Sequence, residues 1–80
     1  MYLHIGGEYT ISEQLIVGIF DMESITRKQK DMIQFLSKVE KEDRVEYVSD
    51  EVPRSIVITV EKVYFSPISV QTLTKRVSEL

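Results

Sequence analysis

Apolar residues fall along this chain in two kinds of pattern. At residues 15–20 (LIVGIF) and 55–60 (SIVITV) they run on without alternation, the signature of a strand covered on both faces and set centrally in a sheet. Val63, Tyr64 and Phe65 follow the polar pair Glu61-Lys62 and predict a strand over 63–65, beside the second of these. Between residues 2 and 12 apolar positions flank Gly6-Gly7. That pair suits a tight hairpin because both glycines can take positive φ, and strands are predicted over 2–5 and 9–12.

Past residue 25 the spacing changes. Met32, Ile33, Leu36 and Val39 form one stripe at the helical period, with Phe35 to one side. Thr26 and Gln29 have the form of a reciprocal cap, hydroxyl and amide each satisfying a backbone donor of the other. A helix is predicted over 26–40, ending in the charged stretch 40–43. Val45 and Tyr47 then share one face of a strand over 45–48, and 50–53 is a turn. Ser66-Pro67 stops the sheet, since proline cannot donate to a ladder. Ser69 is the predicted N-cap of a helix over 69–79 carrying Val70, Leu73, Val77 and Leu80 on one face. The reading is a single α+β domain over 1–80, with short, mostly antiparallel strands and two amphipathic helices.

Composition turns this fold into an expectation about partners. An 80-residue chain buries only about 60% of the surface its unfolded form exposes, and small domains usually add a disulfide, a metal or a partner subunit. With no cysteine and His4 as its only histidine, this chain is left with the third means. Two doubly apolar strands also need more cover than two helices of about three turns can supply. A homo-oligomer is expected.

A net charge of −3 and a pI near 5.1 remove any whole-molecule attraction to nucleic acid or anionic lipid, so such binding requires a local basic patch. The first residues lack the pattern of a secretory signal, and no apolar run approaches the roughly 20 residues that cross a bilayer. A cytoplasmic protein without membrane association is expected. Catalysis lacks a base, since His4 sits in a predicted strand beside the turn. Glu40, Glu42, Asp43, Asp50 and Glu51 lie in polar stretches and read as solvated. Gly6-Gly7 opens no phosphate-loop motif, and Tyr2, Tyr9, Tyr47, Tyr64 and Phe65 read as packing residues. No enzyme, cofactor, metal or small-molecule ligand is expected. Arg27, Lys28 and Lys30 fall in the first turn of the first predicted helix, where the macrodipole favours anions. They read as a mixed-charge solvated face or as a contact for phosphate or an acidic partner. Lys75 and Arg76, near the end of the second helix, agree with the dipole.

The segments MYLHIGG, IVGIFDME, PRSIVIT, YFSPIS and TLTKR together give the chain an end-to-end resemblance. It resembles the Rem family of extracellular-matrix regulators of spore-forming bacteria, most closely its RemB branch. The resemblance implies a regulator of biofilm-matrix gene expression. Because the RemA branch contains DNA-binding transcription activators that assemble into rings, it also implies a ring-forming homo-oligomer. In RemA-like sequences the arginines that contact DNA lie before the first apolar strand and in the turn before the second, positions held here by Gln14 and Glu51-Val52. Arg54 matches the family's arginine at the start of the second apolar strand, and Lys75 and Arg76 match the end of the last helix. Each missing cation removes counterion release, so the expected DNA association is weak, with Arg54, Arg27, Lys28, Lys30, Lys75 and Arg76 as candidate contacts. The alternative is a protein-binding oligomeric scaffold that binds no nucleic acid.

Overall fold

The computed structural model describes residues 1–25 and 29–79. A hairpin opens the chain, β1 (Tyr2–Gly6) and β2 (Tyr9–Ser12). Both glycines at its turn have positive φ, 122° at Gly6 and 53° at Gly7. A Cβ on Gly7 would also stand 2.9 Å from the Val48 carbonyl oxygen, so contact and dihedral both demand glycine there. Gly6 pairs with Tyr9, which makes Gly7-Glu8 the loop and shifts the register between His4 and Gly6.

A 3₁₀ turn at Glu13–Leu15 leads into β3 (Ile16–Asp21), and a second at Met22–Ser24 leaves it, with the Asp21 carboxylate accepting from the Glu23 amide. Then come α1 (Lys30–Lys41), β4 (Val45–Tyr47), β5 (Ser55–Thr59), β6 (Val63–Ser66) and α2 (Val70–Ser78). The larger sheet has the order β3-β5-β6-β4, antiparallel except where β4 runs parallel to β6. The α+β architecture with mostly antiparallel strands and two helices is therefore as expected from the apolar pattern.

Three layers result. β1, β2 and α2 cover one sheet face, where Leu3, Ile5, Ile11, Val48, Val57 and Leu73 form a buried cluster. The other face carries Val39 of α1 against Ile56 and Val63, with Leu36, Val45, Ile58 and Phe65 around them. Strand alternation on β5 sends Val57 to the first core and Ile56 and Ile58 to the second. Buried hydroxyls close the ends: Ser55 donates to the Ile68 carbonyl at 2.8 Å, and Ser66 donates to the Ile5 carbonyl.

Two expectations need correction. The run at 15–20 does not form a central strand: β3 is an edge strand, bonded only to β5 among the described residues. An unbroken apolar run reports that both faces suit apolar surroundings, and here the described residues cover one of them only in part, leaving Val17 68% exposed. The first helix begins at Lys30 rather than residue 26, with Gln29 as N-cap and no side-chain capping bond; Thr26 lies outside the described residues, as does Leu80 of the α2 stripe. Elsewhere the caps behave as predicted, the Ser69 hydroxyl accepting from the Thr72 amide at 3.2 Å.

The end of α1 holds a feature that the charged stretch 40–43 did not reveal. The Arg44 amide donates to Val39 and the Asp43 amide to Glu40, the paired bonds of a Schellman cap with Asp43 in its left-handed position at φ 57°. Glycine is the residue suited to that conformation. Asp43→Gly is expected to raise unfolding free energy by a few tenths to about 1 kcal/mol, read as a higher urea midpoint at unchanged slope.

Candidate interaction surface

Among the described residues, β3 and α1 together leave part of the second sheet face open. Val39 is the one fully buried residue of α1, so the helix seals the sheet near its C-terminal end. Towards its N-terminal end a cavity of about 720 Å³ separates it from β3. Val17, Phe20, Ile25, Met32, Phe35 and Ile58 line this groove, with Ser24, Gln29, Lys30 and Asp31 at its polar margin. The Phe20 ring lies back over Gly18, where a Cβ would meet it at 2.8 Å. Phe20 is itself 39% exposed, and Ile33 and Phe35 also reach solvent from α1. The outer edge of β3, with main-chain groups directed away from β5, runs beside this apolar surface.

Among the described residues the candidate cations do not gather into one patch. Arg54 is exposed and lines a small pocket of about 80 Å³ with Asp21, Glu23, Ser69, Val70 and Gln71, so two carboxylates and the first residues of α2 are its neighbours. Lys75 and Arg76 lie at the other end of α2. Arg76 is committed locally, its guanidinium donating to the His4 carbonyl at 2.9 Å. Lys30 stands at the start of α1, followed by Asp31, so only one described cation meets the helix N-terminus and an acid follows it. Arg27 and Lys28 lie outside the described residues. Gln14 and Glu51 are exposed at opposite ends of the β3–β5 pair, a strand length of roughly 20 Å apart. Among the described residues no helix is long and apolar enough to cross a membrane, and no group of three or more His, Asp or Glu side chains is placed to hold a metal.

Residues 2–77 match the family model described as RemA-like, extracellular matrix regulatory protein A-like. The chain is also 38% identical over 76 residues to extracellular matrix regulatory protein B of Bacillus subtilis (strain 168), covering 95% of this chain and 89% of that relative.

A second polar constellation, absent from the sequence reading, ties the layers together. Tyr9 on β2 donates to Glu46 Oε2 at 2.8 Å, and Lys62, in the β5–β6 turn, donates to Glu46 Oε1 at 3.1 Å. The Tyr9 ring meets Tyr64 edge-on at 6.0 Å. The Tyr9 hydroxyl and then the Lys62 ammonium hold the Glu46 carboxyl below its usual pKa. Glu46 in turn raises both Tyr9 and Lys62. A depressed carboxyl pKa contributes stability that is present above the unfolded value and lost as pH falls through the folded one. Raised tyrosine and lysine pKa values contribute stability that is lost in the alkaline range, as pH climbs through the folded values. Wild type is therefore expected to lose more stability than Glu46→Gln when pH falls from about 6 to about 3, with Tyr9→Phe showing a smaller acid loss than wild type. Urea midpoints for the three proteins at the two pH values check this.

Proposed function

This chain belongs to the RemA-like family of extracellular matrix regulatory proteins, and we propose that it is a cytoplasmic, non-catalytic regulator of extracellular-matrix gene expression that works as a homo-oligomer. Its likeness to extracellular matrix regulatory protein B of Bacillus subtilis supports the regulatory part. The observation that carries the assembly is β3: a strand apolar on both faces, at the sheet edge, with Val17 and Phe20 in solvent beside an open groove. A closed ring is the form that the resemblance implies. Replacing Val17 by lysine puts a charge where the contact excludes water, which costs several kcal/mol if it is left unpaired. Native mass spectrometry is expected to show wild type as a multimer at micromolar concentration and Val17→Lys as a folded monomer; a wild-type monomer would overturn the assembly.

DNA association enters this reading as weak and dependent on repetition. Asp21 and Glu23 beside Arg54 oppose phosphate at that position, and Gln14 and Glu51 offer no cation. Linked copies gain through effective concentration what one copy lacks. The same acidic neighbours of Arg54 favour the second reading, a protein-binding scaffold without nucleic-acid contact. Titration of duplex DNA at several salt concentrations separates the two. Wild type is expected to lose most of its affinity between about 50 and 200 mM salt, and Arg54→Ala to bind more weakly still. Gln14→Arg with Glu51→Arg is expected to bind more tightly and steepen the log–log salt slope by roughly one unit per added contact. No binding by any of the three proteins would establish the scaffold reading instead.

A further inference from the structure

We propose that a second copy of this chain docks on β3 by strand addition, presenting its β4 edge, so that the larger sheets of neighbouring copies join head to tail. This rests on the assembly reading above and states which surfaces meet. β3 and β4 are the two outer strands of one sheet. They run in the same direction, because β3 is antiparallel to β5, β5 is antiparallel to β6, and β6 is parallel to β4. A copy moved sideways without turning over therefore brings its β4 alongside β3 as a parallel pair, same face up.

Among the described residues the main chain turns groups without backbone partners outward on both edges. Met22 bonds to Arg54 across the β3–β5 pair, and the alternation of that antiparallel ladder turns the N–H and C=O groups of Ile19 and the N–H of Asp21 outward, while the Asp21 carbonyl accepts from the Ser24 hydroxyl at 2.9 Å. On β4, Arg44 accepts from Val63 and Val48 donates to Phe65, which turns those of Val45 and Tyr47 outward.

The side chains agree. Tyr47 is 64% exposed and stacks on Phe65 at 4.9 Å, so it stands on the α1 face of the sheet, where Phe65 packs around Val39. Val17 and Phe20 line the groove on that same face of β3. A joined sheet carries the partner's Tyr47 to this groove, whose volume of about 720 Å³ leaves ample room for an aromatic ring. One head-to-tail contact covers both open edges and both exposed patches, whereas an isologous β3–β3 pair leaves the Tyr47 edge bare.

The absence of cysteine from the chain makes the test direct. Val17→Cys, Tyr47→Cys and an equal mixture of the two are treated with a short bis-maleimide under conditions where wild type assembles. The mixture is expected to give cross-linked dimers and neither variant alone to do so, while the double variant gives a ladder beyond the dimer. Assembly lost in Tyr47→Cys but kept in Thr74→Cys, at an exposed position on α2, would also place Tyr47 in the contact. Dimers from Val17→Cys alone would show β3 meeting β3 and overturn the proposal. Multimers in native mass spectra of both cysteine variants without cross-linking in their mixture would overturn it too, leaving the assembly reading intact. A monomer under every condition would remove that reading and this one together.

Discussion

β5 is the strand on which both cores are built. It is hydrogen-bonded on each side, to β3 and to β6, and Ile56 and Val57 on its two faces are wholly excluded from solvent. The hairpin and α2 can pack only because Val57 offers them an apolar floor, and α1 because Ile56 and Ile58 offer one on the reverse side. Ser55, at the start of the strand, is equally buried and spends its hydroxyl on the Ile68 carbonyl, anchoring the loop that leads into α2. A polar or smaller residue in the middle of β5 would therefore loosen two layers at once, by loss of transfer energy and by the cavity left behind.

The two faces are not covered equally. β1, β2 and α2 close the first face with Leu3, Ile5, Ile11 and Leu73 all buried. Among the described residues the second face is covered by one helix, α1, chiefly through Val39 and Leu36, with Met22 and Ile25 of the segment after β3 added at its margin. A single twelve-residue helix is about 10–12 Å wide with its side chains, against strands spaced about 4.8 Å apart. It can shield two or three strands of a four-stranded sheet, and the strand left over is β3. The groove and the exposed Val17 thus follow from the ratio of helix to sheet rather than from a local defect in packing.

That ratio explains what the sequence made legible. Residues 15–20 and 55–60 read alike, and both are strands, because β-branched runs favour the pleated backbone wherever it lies. The Gly6-Gly7 hairpin and the Ser69 cap were legible because each depends on residues adjacent in the chain. Edge against centre was not, since a doubly apolar run does not say whose atoms cover it. The Thr26 and Gln29 spacing suggested a cap, yet Gln29 itself is the N-cap residue, at φ −96° and ψ 63°. The Tyr9–Glu46–Lys62 constellation joins residues 37 and 16 positions apart, and no local spacing announces it. Nor does any local spacing announce the bond from the Arg76 guanidinium to the His4 carbonyl, 72 residues away in the chain.

In the proposed regulator, assembly and nucleic-acid association draw on different parts of the fold. The apolar contact lies along β3 and its groove, while Arg54 lies by the first residues of α2 and by Asp21, the last residue of β3, so the two surfaces adjoin at Asp21 and share none of the groove residues. Their coupling is then one of number. A guanidinium beside Asp21 and Glu23 gives each copy a small attraction for phosphate, easily screened by salt. Joining copies multiplies that attraction without strengthening any single contact. A chain with net charge −3 gains a further constraint from this arrangement, because every added subunit also adds acid. Association with a polyanion can grow with assembly only if the repeated cations face the nucleic acid while most of the carboxylates face away, so the orientation of subunits matters as much as their count.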